Sequence, residues 1–248
     1  MMTSAHLFAG GGGGLLADLI LGHRPIYAID HDRACCALLA RRRDWFPDLR
    51  VECADATTAD YRRWAGRVGV LHAGVPCPKW SSARRGRGAA FDGWDAVVRA
   101  VRIIRPRFVF LECVAAFVRE HQRVTDDLAS LGYRIDAPLV LDAAAVGAPH
   151  PRRRYWSLGY ADDESQPVRA VDAEVAGMPA ADGGLWWSAD PRGVRMDDGL
   201  ADRMDRWRMI GNGQVPLQAA AAWIALGGPL DAAVVGETAG EGERSCPK

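Results

Sequence analysis

His6-Leu7-Phe8-Ala9-Gly10-Gly11-Gly12-Gly13-Gly14-Leu15-Leu16-Ala17-Asp18-Leu19-Ile20-Leu21-Gly22 is the stretch on which the fold turns. Its apolar start reads as a short strand, its second half as a helix, and the glycines join the two. Strand, glycine turn and helix in that order open a βαβ unit. Glycines at such a turn let the backbone approach a ligand that any Cβ would push away.

The same alternation continues outward from this stretch. Strands are expected at 25–30, 49–55, 68–74 and 108–112, and helices at 34–43 and 94–105. Trp94, Val97, Val98, Val101 and Ile104 share a face of the second of these helices. Phe117, Val124, Leu128 and Leu131 mark another helix, 133–141 and 152–160 read as strands, and a last helix follows over 215–228. This pattern predicts an α/β fold with a doubly wound, mostly parallel sheet. Residues 1–160 form the expected main domain. Residues 161–199 are polar, rich in Gly, Pro and Asp, and read as a small irregular segment; 200–228 return to the main domain and 229–248 read as a flexible tail.

The chain has 248 residues, 49% of them apolar and 25% charged, the profile of a globular enzyme rather than of a fibrous or disordered chain. No apolar run is long enough to span a bilayer, and the N-terminus lacks the plan of a secretory signal. A cytoplasmic address, bacterial or viral within a host, is the expectation, with no membrane partner. The six cysteines show no CxxC pair and no zinc-ligand spacing. Reduced thiols and no metal are expected, and a monomer is the expected state. Net charge is zero, but Lys79, Arg84, Arg85, Arg87, Arg99, Arg102, Arg105 and Arg107 form one basic run and Arg152, Arg153 and Arg154 another. Basic patches on a neutral chain suit an anionic partner such as a nucleic-acid backbone.

The second predicted strand ends in Asp30, placed to accept hydrogen bonds from the hydroxyls of a ribose. The third ends at Asp55, an acceptor suited to an exocyclic amine. No Lys-Ser/Thr pair follows the glycines, which disfavours a phosphate-binding P-loop. Cys77 follows a strand and stands between Pro76 and Pro78, which restrict the backbone around the thiol. Its loop is polar and basic, conditions that favour thiolate.

Taken in chain order, these segments resemble the cytosine-5 DNA methyltransferase family. Phe8-Ala9-Gly10-Gly11-Gly12 is similar to the family's first motif and Asp30-His31-Asp32 to its second, while Asp55 resembles the third-strand acid. Pro76-Cys77-Pro78-Lys79-Trp80-Ser81 resembles the Pro-Cys-Gln-x-x-Ser loop, and Glu112-Cys113-Val114 stands at Glu-Asn-Val. Gly147 to Arg154 resembles Gly-x-Pro-Gln-x-Arg-x-Arg, and Gly211 to Pro216 resembles Gly-Asn-Ser/Ala-Val-x-Pro.

The resemblance implies a class I, Rossmann-like methyltransferase that uses S-adenosyl-L-methionine, releases S-adenosyl-L-homocysteine, and acts on double-stranded DNA in a restriction-modification setting. It implies that Cys77 adds to C6 of a flipped-out cytosine and so loads electron density onto C5. Glu112 would hydrogen-bond N3 and the 4-amino edge, Arg154 would contact the pyrimidine carbonyl, and Arg152 would support the loop or the phosphates. Phe8, Ala9, Gly10, Gly11, Gly12, Asp30, His31, Asp55, Ala56, Pro76, Asn212 and Gly213 would line the cofactor site, with His31 on the adenine.

Departures from the family pattern carry expectations of their own. Cys113 replaces an Asn that braces the catalytic loop, a loss expected to cost about 1–3 kcal/mol locally. His150 replaces a Gln, and Pro78-Lys79 replaces the Gln after the nucleophile. The variable segment 161–199 is short. At about 1–3 kcal/mol of discrimination per good bidentate base contact, it predicts a short or relaxed target, with Arg169, Arg192 and Arg195 as contacts and Trp186 or Trp187 as wedge or small core. Three rival readings stand beside this one: an RNA cytosine-5 methyltransferase, a folate-dependent nucleotide enzyme, and a nonmethylating DNA-binding relative.

Overall fold

A computed structural model of the chain describes residues 1–76, 93–163 and 213–230. The glycine stretch resolves into β1 (Thr3–Leu7) and α1 (Gly13–Leu21), and Gly22 closes the helix in the left-handed conformation. β2 (Arg24–Asp30) and α2 (Arg33–Ala40) follow, with Asp32 capping α2 by accepting from the Ala34 and Cys35 amides. Then come β3 (Arg50–Cys53), β4 (Val70–Gly74), α3 (Trp94–Ile104), β5 (Phe108–Val114), α4 (His121–Ala129), β6 (Tyr133–Ile135), β7 (Leu139–Asp142), β8 (Arg153–Ala161) and α5 (Pro216–Ala225).

The strands form one sheet in the order β3-β2-β1-β4-β5-β8-β6, with β7 also paired to β8. Strands β1 to β5 pair in parallel, and β8 runs antiparallel to β5, β6 and β7. The order reverses between β1 and β4, and ligands of such sheets settle outside the carboxyl ends of the strands at that point.

The mostly parallel α/β prediction holds, with differences at several element ends; the third strand stops at Cys53, so Asp55 lies two residues beyond it rather than at its end. The helix expected over 34–43 ends at Ala40. The one expected after Phe117 begins as a 3-10 turn over Ala115–Glu120. The strand expected over 133–141 is broken into β6 and β7 around 136–138. Pro138 lacks an amide proton for the ladder, so each half pairs separately with β8.

Two layers of helix cover the sheet. On one face Leu7, Leu71, Val109 and Leu111 meet Val97, Val101, Val124 and Leu128 of α3 and α4. On the other, Val70, Phe108, Phe110 and Trp156 meet α1 and α5 through Ala17, Leu21, Ala219 and Trp223. A central parallel strand buried on both faces reads as a continuous apolar run. Here β1 and β4 break that rule: Ser4, His6 and His72 are buried under α1, beside Asp18. No helix among the described residues is long and apolar enough to cross a membrane.

Residues 164–212, which hold most of the segment read as 161–199 and the first part of 200–228, and the tail from 231 lie outside the described residues.

Candidate active site

The glycine turn begins with an unusual residue. Phe8 takes φ 56°, a left-handed conformation uncommon outside glycine. The turn is tied back by Ala9 N–H to the Ile29 carbonyl at 3.2 Å and by Gly12 N–H to the Ala9 carbonyl at 3.0 Å. Gly10 has φ 53°, and a Cβ built on it would meet nothing within 4 Å. Gly10 thus leaves open space beside the ends of the strands.

The other glycines of the run serve packing. A Cβ at Gly12 would lie 2.7 Å from Leu39 Cδ2, one at Gly13 2.1 Å from the Gln214 carbonyl oxygen, and one at Gly14 2.6 Å from Gln214 Oε1. The close approach expected of a ligand is made at Gly13 and Gly14 by the chain itself.

Asp30 organises this corner. Its Oδ2 accepts from the Gly10 amide at 2.8 Å and its Oδ1 from the Asp32 amide at 2.9 Å. His31 next to it has a side chain 83% exposed, with Nδ1 3.6 Å from Asp30 Oδ1. Asp55 is exposed, and its Oδ1 accepts from both the amide and the hydroxyl of Thr57. Those bonds hold its carboxyl below the ordinary range. Ala56 is buried, its carbonyl taken by the Tyr61 hydroxyl at 2.7 Å.

The acid of the site stands on β5. Glu112 pairs in register with Gly74 of β4, which puts its carboxyl at the strand ends next to the glycine turn. It is buried, and Arg154 Nε of β8 reaches its Oε1 at 2.9 Å. Gln214 Nε2 approaches Oε2 at 3.5 Å. Burial raises the Glu112 pKa, against the opposing pull of Arg154 and Arg152. A carboxyl that keeps its proton more readily than usual is suited to donate a hydrogen bond or a proton.

Arg152 makes a different contact. Its Nη2 donates to the Gly213 carbonyl at 2.5 Å, while its own carbonyl accepts from Gln218 Nε2 at 2.7 Å. It therefore ties the turn before β8 to the residues that lead into α5. His150, two residues earlier, is exposed.

The entry to the cysteine loop is held from β5. Val75 N–H donates to the Glu112 carbonyl at 2.8 Å, and the Cys113 thiol donates to the Val75 carbonyl at 3.3 Å. The thiol is buried beneath Val75 and makes the contact itself. Pro76 lies against Gly93, where an added Cβ would sit 2.6 Å from Pro76 Cδ and 3.4 Å from Phe8 Cζ. Cys77, the remaining loop residues Pro78, Lys79, Arg84, Arg85 and Arg87, and Asn212 lie outside the described residues. So do Arg169, Trp186, Trp187, Arg192 and Arg195.

The structure thus brings together Phe8, Gly10, Asp30, Pro76, Glu112, Arg154 and Gly213 around one end of the sheet. Sequence reasoning missed Gln214 and Gly93. Gln214 had a signal, since a polar residue stands where Val is usual in the Gly-Asn segment it resembles. Gly93 had none, because its importance arises from contact with Pro76 across the loop.

Residues 2–180 match the sequence profile of the family described as C-5 cytosine-specific DNA methylase. The chain is 27% identical over 171 residues to the type II methyltransferase M.Eco47II of Escherichia coli, covering 65% of this chain and 40% of that protein. It is 28% identical over 167 residues to M.PspPI of a Psychrobacter strain, covering 63% and 39%. The chain therefore spans about two-fifths of the length of these relatives.

Among solved structures, a Spodoptera frugiperda DNMT2 mutant superposes with TM-score 0.55 at 17% identity, covering 69% of this chain and 54% of that one. A putative DNA modification methyltransferase encoded within an E. coli prophage gives TM-score 0.53 at 20% identity, covering 67% and 49%. These likenesses concern the fold.

Proposed function

The chain belongs to the C-5 cytosine-specific DNA methylase family, and on that premise we propose that it methylates carbon 5 of cytosine in DNA, with Cys77 as the covalent nucleophile. The observation that carries the reading is Glu112: a buried carboxyl with a raised pKa, clamped by Arg154 and bonded through its backbone to Val75, two residues before Cys77.

The residues present fit S-adenosyl-L-methionine. Gly10 leaves a space that a Cβ would enter, Asp30 is oriented beside it by the Gly10 amide, and the His31 ring and Asp55 are exposed on the same side. Phe8, Ala9, Gly10, Gly11, Gly12, Asp30, His31, Asp55, Ala56, Pro76, Asn212 and Gly213 would hold it. When bound it supplies an electrophilic methyl group.

The chain's own residues do the rest. Cys77 adds to C6 of an extruded cytosine, and the negative charge that develops on the ring falls at N3 and the exocyclic edge. Glu112, whose carboxyl burial makes readier to take a proton, hydrogen-bonds N3 and the exocyclic edge. Arg154, anchored on Glu112, meets the carbonyl side of the base. Arg152 keeps the Gly213 segment against the site. Once C5 has taken the methyl group, loss of its proton to water expels the Cys77 thiolate and restores the ring. Residues 161–199 would read a short or relaxed target, to which Arg169, Arg192 and Arg195 contribute.

Duplex DNA carrying 5-fluorocytosine tests the reading, because fluorine blocks the last elimination. With S-adenosyl-L-methionine present, the chain should become covalently attached to the DNA and Cys77→Ala should not. A folded chain that binds the cofactor yet forms no adduct, or that labels transfer RNA and not duplex DNA, overturns the proposal.

A further inference from the structure

The polar residues buried under α1 have no part in the reaction just described. Asp18, 3% exposed, accepts from Ser4 Oγ and, at 2.6 Å, bonds His6 Nε2, both through Oδ2; its Oδ1 lies 3.3 Å from His23 Nδ1. His6 and His72 are register partners on β1 and β4, so their rings project to the same face. His72 is 3% exposed, and its ring is tilted against those of His6, at 5.0 Å, and Phe110, at 4.8 Å. Its Nε2 has no hydrogen-bond partner among the described residues. One ligating atom each from His6, Asp18 and His72 lie within 4.8 Å of one another.

We propose that His6, Asp18 and His72 form a structural binding site for a divalent transition metal of the zinc class, between the central strands and α1. Two imidazoles and a carboxylate are the borderline nitrogen and oxygen donors that Zn2+ takes. A hydrogen-bonded network accounts for Ser4, His6, Asp18 and one ring nitrogen of His23, but it leaves Nε2 of His72, whose ring borders the cluster, and Nε2 of His23 without a partner among the described residues. Leaving a buried polar atom so is costly, and a metal ion removes that cost at His72.

With metal–ligand bonds of about 2.0–2.2 Å, tetrahedral donor atoms stand roughly 3.4 Å apart. The His6–Asp18 contact must open by about 0.8 Å, and His72 must close by at most about 1.4 Å. The proton shared by His6 and Asp18 leaves to solvent as the metal takes the lone pairs. His23 holds the second carboxylate oxygen, and Ser4 Oγ, 3.3 Å from His6 Nε2, is the nearest further oxygen donor. Because Asp18 lies on the helix that the glycine turn starts, occupancy pins that turn to β1 and β4.

The test uses the full chain stripped with a chelator and titrated with Co2+ and then Zn2+. Equimolar Co2+ should produce the visible ligand-field absorption of a four-coordinate nitrogen and oxygen site, with no thiolate charge-transfer band, and Zn2+ should abolish it. Zn2+ should raise the unfolding temperature by several degrees. His72→Phe, which keeps the aromatic stack, should lose both effects and still unfold cooperatively. Absence of the spectrum, a thiolate band, or persistence of the spectrum in folded His72→Phe each overturns the proposal. Should that variant not fold, imidazole 15N spectra of the wild-type chain decide: Zn2+ must shift the His6 and His72 ring nitrogens, and unshifted resonances overturn the site.

Discussion

Gly13→Ala adds one carbon where the structure has no room for it. The new Cβ would lie 2.1 Å from the Gln214 carbonyl oxygen, 2.8 Å from its carbon and 3.1 Å from its Cα. An ordinary carbon–oxygen approach is about 3.3 Å, so the Gln214 backbone must retreat by roughly 1.2 Å. The obstacle is main chain that leads straight into α5, and rotating a side chain does not relieve it. Overpacking of this kind costs about 1–3 kcal/mol. Alanine's better helix propensity returns at most about 1 kcal/mol at this first helical position.

The net expectation is a destabilisation of about 1–2 kcal/mol, a fall of roughly 2–8 °C in Tm for a chain of this size. Gly10→Ala should cost a similar amount for another reason. It has open space but φ 53°, and a left-handed alanine pays about 1–2 kcal/mol. Asparagine separates the two causes, since it tolerates that conformation: Gly10→Asn should recover most of the loss, and Gly13→Asn should be worse than Gly13→Ala. Thermal and urea unfolding of the four variants is the assay. A Gly13→Ala chain as stable as the parent would refute the claim that glycine is needed there for the approach of Gln214.

Other expectations concern the site itself. A raised Glu112 pKa means that the folded chain keeps a proton which the unfolded chain releases near 4.5. Stability from this group is complete below that pH and is lost as pH rises through the raised value, by at most about 1.4 kcal/mol per pH unit. In Glu112→Gln this component should vanish, so the wild-type stability minus that of the variant should decline across the window; a flat difference would contradict the burial argument. Cys113→Ala removes the thiol bond to the Val75 carbonyl and should speed hydrogen exchange at the Val75 amide about tenfold, a change of about 1.4 kcal/mol. Cys113→Ser, still a donor, should exchange nearer the wild-type rate. Equal protection in all three chains would show that Cys113 does not brace the loop entry.

Local pattern determined the fold class here. Apolar runs of strand length, helical spacing such as that of Trp94, Val97 and Val101, and the glycine turn are properties of neighbours in the chain. They point to an α/β sheet before any contact is known. Motif order survives in a linear string, and the family resemblance it carries is what singled out Glu112 and Arg154. Pro138, by contrast, stood inside a strand expected to run unbroken over 133–141.

Only the tertiary structure decided what depends on residues distant in sequence. Which glycines serve the open space and which serve packing was set by Gln214, about 200 residues away. Whether a thiol at 113 could replace an amide depended on how close Val75 comes. The start of β1 read only as a short apolar strand, since the sequence carries no record of what covers it. Burial under α1 turned Ser4, His6, Asp18 and His72 into one cluster. A strand's two faces are written in the chain, but the partner each face meets is chosen only when the layers close.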